Sequence, residues 1–413
     1  MKIYKATVLV LVLSFLVVGC QSPLPDPVDP DTEITLEIWE TYGEEERKVF
    51  LEIVDKFEKK HPNITIEAKN IKRGQKWGEL QKGLATGDLP DIAKVDMEYV
   101  PTLAEARAII NLNYLGIDEE GDKYLKSAFE SNRYQGRIYG VPKRVDTSVL
   151  IYNKSLFDKA DLSYPLSSWD YEDFIEASLA LTDSDVYGFA MSSRLEGVLP
   201  ILLSHGASLT DEKSKEFTLN TEKAIEGLSL ITSLHKEHAT MEGAWLSDVT
   251  SSREGFIQQQ YAMIIDCTDS LSRYEDEDLD FGVSTIPAGT SGAISSIKGN
   301  SMVILEDSSY PHEAYKFIKF LTSEEIQVFW AEKLGQIPVN SKAVSTINTD
   351  DNPILEVMLK QAEQTVPRPA ILGYSRMEEL VSREIKAALK GDKSPSKAIQ
   401  DASDRVNEEL FTE

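Results

Sequence analysis

Of the side chains able to make or break bonds, this chain arranges none in a reactive pattern. It carries 69 acidic residues, so two carboxylates for general acid and base work can always be named, and that abundance identifies nothing. No GxSxG elbow, HExxH zinc motif or glycine-rich phosphate loop occurs. His235 and His238 stand three apart on one expected helix, a metal-binding geometry with no cysteine or acid cluster to complete it, so both read as surface histidines. Cys267 lies in an apolar run, where a thiol packs as a small core residue rather than attacking a substrate. No catalytic residue, metal or cofactor is expected, and the chain is not expected to be an enzyme; a two-carboxylate glycosidase is the enzymatic alternative. What remains is the chemistry of a non-covalent grip, planar rings beside hydrogen-bonding groups in the loops that follow strands. Trp39, Glu40 and Tyr42 follow the first expected strand, and Asp96 and Glu98 the third. Arg194 and Glu196 follow a later one, and Trp245 sits in a Gly243-Ala-Trp loop. Trp39 serves equally well as a strand-end core residue, and Trp245 as loop packing.

The elements that must hold these residues read as alternating strands and helices. Ile34–Trp39 alternates as a strand, and Val49, Phe50, Ile53, Val54 and Phe57 recur at helical spacing over 44–60. His61-Pro62 ends that helix, Ile64–Ala68 restores the strand, a helix follows near 77–86, and Asp91–Val95 forms a third strand. This order predicts an α/β fold with mostly parallel sheets flanked by helices. Further strands are expected at 149–152, 188–191 and 262–265, and helices at 311–321, 323–334, 378–389 and 395–410.

Lys2 and Lys5 precede an apolar run from Ala6 to Val18, too short to span a bilayer and suited to an export signal over 1–19. Val17-Val18-Gly19-Cys20 resembles the bacterial lipobox, in which cleavage precedes a cysteine that receives lipid. Gln21–Asp31 holds four prolines and three aspartates and reads, over 20–32, as a flexible tether. Only Cys267 remains as a further thiol, so no disulfide forms within the mature chain. The formal net charge of −26 argues against nucleic acid, whose phosphates demand basic patches. About 390 residues exceed what one core usually supports, so two lobes are expected.

Several segments, in order, resemble the extracellular solute-binding proteins of ABC sugar importers, relatives of the maltose-binding protein. They include Leu84-Ala-Thr-Gly-Asp-Leu-Pro-Asp-Ile92, then Tyr139-Gly-Val-Pro142 with Asp146-Thr147 and Leu150-Ile-Tyr-Asn-Lys-Ser-Leu-Phe157. Ala262-Met-Ile-Ile265, Pro287-Ala-Gly289, Ala314–Leu321 and Gly335-Gln-Ile-Pro-Val-Asn340 follow. The resemblance implies a two-lobe periplasmic-binding-protein type II fold with a ligand cleft between lobes. The lobes would be 33–142 with 267–308, and 143–266 with 309–413, the chain crossing near 142–147, 265–268 and 307–311. It implies a monomer anchored to the membrane only by lipid, outside the cytoplasm, which takes a mono- or oligosaccharide to importer permease subunits.

It also extends the site. Lys143, Arg144 and Asp146 fall on a hinge segment, Asp146 where the maltose-binding protein has a sugar-contacting acid. Asp266 and Asp269 stand where relatives carry a turn with a stacking tryptophan, which is absent. Asn300 and Ser301 match a stretch of small polar contacts, and Tyr374 and Arg376 precede a helix whose nearby tryptophan is also missing. Two lost platforms favour a shorter or more polar sugar. Lys143 and Arg144 either pair with surface acids or bind a charged group, which keeps a phosphorylated, acidic or polyamine ligand as the alternative.

Overall fold

The computed structural model describes residues 24–211, 215–237, 239–240 and 249–411. The strands that carry the architecture are β1 (Ile34–Glu40), β2 (Ile64–Asn70), β3 (Ile92–Asp96), β4 (Val141–Asp146), β5 (Ser148–Asn153), β6 (Tyr187–Ala190), β7 (Tyr261–Cys267), β8 (Phe281–Ser284) and β9 (Lys298–Ile304). The helices that position the site are α1 (Glu44–Lys60), α2 (Lys76–Thr86), α3 (Tyr171–Ala180), α4 (Leu195–Ser204), α5 (Glu222–Lys236), α6 (Val249–Ile257), α7 (Pro311–Leu321), α8 (Glu324–Leu334), α9 (Pro353–Glu363), α10 (Tyr374–Leu389) and α11 (Pro395–Leu410). Among the described residues no helix is long and apolar enough to cross a membrane.

Two sheets organise the chain. The first runs β2-β1-β3-β9-β4 and the second β8-β5-β7-β6. β1 pairs parallel with β2 and β3, whereas β9 runs antiparallel to β3 and β4. In the second sheet only β6 and β7 are parallel. Both sheets are therefore mixed rather than mostly parallel, because β8 and β9 are inserted from chain returning late in the sequence.

That late return also redraws the expected lobe boundaries. The chain first leaves one sheet for the other at Thr147, between β4 and β5. It does not cross near 265–268: β7 leads through a helical turn to β8 in the same sheet, and the second crossing lies between Ser284 and Lys298. Nor does it cross near 307–311. Phe317 of α7 meets Phe50 and Phe57 of α1 edge to face, and Trp330 of α8 packs at a tilt on Tyr42, so 311–334 belongs with the first sheet. The third crossing comes just before α9, which packs against β5 and β8. Burial of aromatic faces decides this, and segment order along the chain does not reveal it.

α1 shows how local signals set an element. Its first turn holds Glu44, Glu45 and Glu46, its last Lys59 and Lys60, matching the helix dipole at both ends. Glu46 reaches back to accept from the Gly43 amide at 3.3 Å, the half of a capping box that needs no side chain on the cap residue. Its apolar stripe, Val49 to Phe57, is buried on the inner face of the first sheet. The opposite face is covered by α2 around Leu80, Val95 and Leu103. The second sheet packs α3, α4, α5, α10 and α11 on one side. The expected tether is also revised from residue 24 onward. Leu24 and Val28 are half-buried against the first core, and the Val28 amide donates to Glu313 of α7 at 3.3 Å. Two apolar residues four apart suffice to dock a proline-rich segment whose composition alone reads as solvated.

Candidate functional site

The sheets meet at β4 and β9, and the polar groups of the site gather there. β9 registers Lys298 against Asp146, and Asn300 against both Arg144 and Asp96. One strand thus brings residues from three distant parts of the chain together. Gly299 makes this possible. Its φ is 145°, and a Cβ there would lie 2.0 Å from the Arg144 carbonyl oxygen.

Arg144 is nearly buried between two acids, its Nη1 2.8 Å from Glu46 Oε1 and its Nε 3.0 Å from Asp146 Oδ2. Burial opposes its charge, but Asp146 and Glu46 outweigh that and raise its pKa. Burial likewise opposes ionisation of Glu46, yet Lys94 and Arg144, with a bond from Gln336, bring it down to about 2. Asp146 also accepts from Thr268 Oγ1 at 3.1 Å. Asp269 lies beside Lys298 and Arg253, which hold it below its ordinary value against the cost of burial. Glu46, Arg144, Asp146, Thr268 and Asp269 line a groove of about 620 Å³ with Glu44, Glu45, Glu275 and Asp276, a strongly acidic wall. Asp266 anchors the floor: it takes Arg253 through two bonds of 2.6 and 2.8 Å and the Tyr274 hydroxyl at 2.7 Å. Lys298 reaches Glu196 of α4 at 3.8 Å, and Cys267 is buried.

The other end of the cleft is built from β3, α2 and α10. Asp96 pairs with Lys76 at 2.9 Å and with the Asn300 amide. Glu98 lies 3.2 Å from Arg368, whose guanidinium sits 4.2 Å from the Tyr374 ring centre. Burial raises the Glu98 pKa, Arg368 notwithstanding. Arg194 pairs with Glu378 at 3.0 Å. Trp77 stacks on Tyr99 at 4.4 Å and 14°, with both rings half-buried, and Tyr99 bonds to Ser375 across the divide. A second space, of about 900 Å³, borders Arg368 and Tyr374 and continues over Leu199, Leu203, Tyr134 and Pro367.

The expected residues divide accordingly. Asp96, Arg144, Asp146, Arg194, Asp269, Asn300 and Tyr374 fall at or beside these walls. Asp266 serves from beneath. Trp39 does not supply a platform: it is buried in the cluster under α2, its Nε1 donating to Glu37 at 2.7 Å and Lys69 covering its ring. Glu40 is fully buried and holds the Tyr42 amide, Arg47 and Asn70. Tyr42 packs between Phe50 and Trp330. Lys143 points into that same core, its ammonium 2.9 Å from the Trp330 ring centre. Neither Lys143 nor the doubly paired Arg144 is offered to an anionic ligand. Ser301 is fully buried. Arg376 lies on the surface of α10, bound to Glu379 and Glu409. Trp245, His238 and Cys20 lie outside the described residues. Among the described residues no cluster of three metal-ligating side chains occurs.

Sequence reasoning overlooked Glu46, Trp77, Arg253, Lys298 and Tyr274. Only Glu46 had a signal, as the third residue after a glycine that starts a helix, the position of a capping-box acid. The rest enter through tertiary pairing.

A family model described as bacterial extracellular solute-binding protein matches residues 52–357, so the chain belongs to that family. Among curated relatives, the maltooligosaccharide ABC transporter solute-binding lipoprotein of Streptococcus pneumoniae R6 is 25% identical, covering 99% of this chain and 98% of its own. The maltodextrin-binding protein of Bacillus subtilis 168 is 23% identical, covering 99% of each chain. Among solved structures, the GacH receptor of Streptomyces glaucescens, solved unliganded and with acarbose, superposes with a TM-score of 0.76 at 25% identity over 91% of this chain and 98% of that one. The cyclic α-maltosyl-1,6-maltose binding protein of Arthrobacter globiformis superposes at 0.82 with 19% identity, over 92% and 99%. The fold is that of the two-lobe, maltose-binding-protein type.

Proposed function

We propose that this protein captures a carbohydrate between its two halves and delivers it, unaltered, to the permease subunits of an ABC importer. A diacylglyceryl group on Cys20 holds it at the outer face of the cell membrane. The observation that carries the reading is the stacked Trp77–Tyr99 pair beside Asp96, Lys76, Asn300, Glu98 and Arg368. A ring face for C–H surfaces adjoins paired carboxylates and cations for hydroxyl edges, contributed from both sides of the cleft. Relatives that bind maltooligosaccharides over nearly the whole length support it.

Pre-paired ions suit a neutral polyol. Each charged group is already compensated, so a hydroxyl joins the network without stranding a charge. Two stacking tryptophans of the maltose type are missing, which favours a short or polar saccharide over a long one. A second reading, an amino-bearing solute, is favoured by the acidic groove around Glu44, Glu45, Glu275 and Asp276. Equilibrium dialysis against mixed mono-, di- and trisaccharides, with chromatography of the retained fraction, tests the proposal. One saccharide should be retained at one per chain and recovered unchanged; hydrolysis products, or no retention, would contradict it.

A further inference from the structure

The floor of the cleft holds a small cavity that shares no lining residue with the acidic groove or with the space beside Tyr374. It measures about 20 Å³, room for roughly one or two non-hydrogen atoms. β7 ends on it at Ile264, Ile265 and Asp266, α6 contributes Ser252 and Arg253, and the start of α4 contributes Glu196. Lys298 of β9, in register with Asp146 of β4, lines it from the first sheet. The start of α4 comes this close to the end of β6 because its third residue is Gly197. A Cβ there would lie 2.5 Å from the Ser192 carbonyl oxygen.

Charge in this lining is balanced. Arg253 holds Asp266 through two bonds, and Lys298 lies 3.8 Å from Glu196. A charged guest would leave one of these ions without its counterpart, whereas a neutral polar group enters without that cost. Ser252 asks for such a group. It is 3% exposed, and its hydroxyl has no hydrogen-bond partner among the described residues. A serine hydroxyl both donates and accepts, so another hydroxyl is the guest that matches it. Ile264 and Ile265 offer an apolar wall to the carbon that carries that hydroxyl. A secondary hydroxyl brings its sugar ring with it, which is too large for this space. The exocyclic CH2OH arm of a hexose stands one bond clear of the ring and fits.

We propose that this cavity is a specificity subsite for the primary hydroxyl of a hexose unit, so that the protein selects saccharides bearing a CH2OH arm over their 6-deoxy counterparts. The inference rests on the carbohydrate reading above and narrows it.

The test is calorimetric titration of the full chain with D-glucose, D-galactose, maltose, cellobiose and whichever saccharide dialysis retains. Each is run beside the analogue in which CH3 replaces every CH2OH. The unsubstituted chain should bind a parent sugar at least about tenfold more tightly than its analogue. Ser252→Val fills the space with methyl groups and should bring that ratio below about twofold. Should that variant fail to melt cooperatively, Ser252→Ala takes its place. Loss of an unpartnered buried hydroxyl should leave the ligand-free melting temperature unchanged or higher, while the ratio falls. Equal binding of parent and analogue by the unsubstituted chain, or a ratio that survives the substitution, overturns the subsite and leaves the carbohydrate reading standing. If no saccharide is bound at all, the carbohydrate reading fails and the subsite with it.

Discussion

Lys143 spends its cation inside the first core, where burial, with Lys94 nearby, depresses its pKa well below the ordinary value. The Trp330 ring offsets part of that cost. A lysine easier to deprotonate when folded binds fewer protons than in the unfolded chain. Stability therefore rises with pH between the lowered folded value and the ordinary 10.5. Lys143→Met should leave the protein as stable as before, or up to about 2 kcal/mol more so at neutral pH. Urea titrations at pH 7 and 9.5 should show that advantage shrinking with pH; a loss of several kcal/mol at both would refute this account of the buried amine. Asp266 is the opposite case. Asp266→Ala strands Arg253 with Asp269 at 3.7 Å and should cost about 3 kcal/mol in the same assay. Trp77→Ala should weaken saccharide capture roughly tenfold, from loss of a ring contact near 1.4 kcal/mol, with little change in melting temperature; unchanged affinity would remove the platform from the site. At this scale the sequence was least legible. Reading the ends of strands did find Asp96 and Glu98, and the family resemblance found Asp146, but side-chain direction decided the rest. Trp39 and Tyr42 turned to the core, where large rings remove most surface from water, and nothing local in the sequence distinguished them from Tyr99.

Elements were far more readable. The strands at 34–40, 64–70 and 92–96 and the helices at 44–60, 311–321 and 395–410 agree with the periodicities within a residue or two. In each the apolar spacing and the end signals concur. Sheet order was hidden, because β9 pairs Asn300 with Asp96 of β3 and Arg144 of β4, 204 and 156 residues away, and no local pattern names its partners. That strand is also the vulnerable one. Gly299→Ala must move the Arg144 backbone at the bulge, and should cost about 2–3 kcal/mol while weakening capture, since Arg144, Asn300 and Lys298 shift together. Calorimetric melting and a binding titration on the same sample would show it; a variant normal in both would mean the bulge is not what aligns the cleft.

Across the whole molecule, three crossings make the two halves hinge-linked, and Tyr99–Ser375 and Glu98–Arg368 are contacts across the divide. Breaking and remaking such contacts gives a ligand its differential affinity for the closed form. Small-angle scattering at saturation should show a smaller radius of gyration than without ligand, and identical profiles would argue against closure. The most direct measurement of all is thermal unfolding across a panel of saccharides, phosphoesters and polyamines, since whatever fills the cleft stabilises the folded chain by mass action. A saccharide should give the largest rise in melting temperature. A clear rise with a phosphoester or an amine, and none with any sugar, would contradict the carbohydrate assignment.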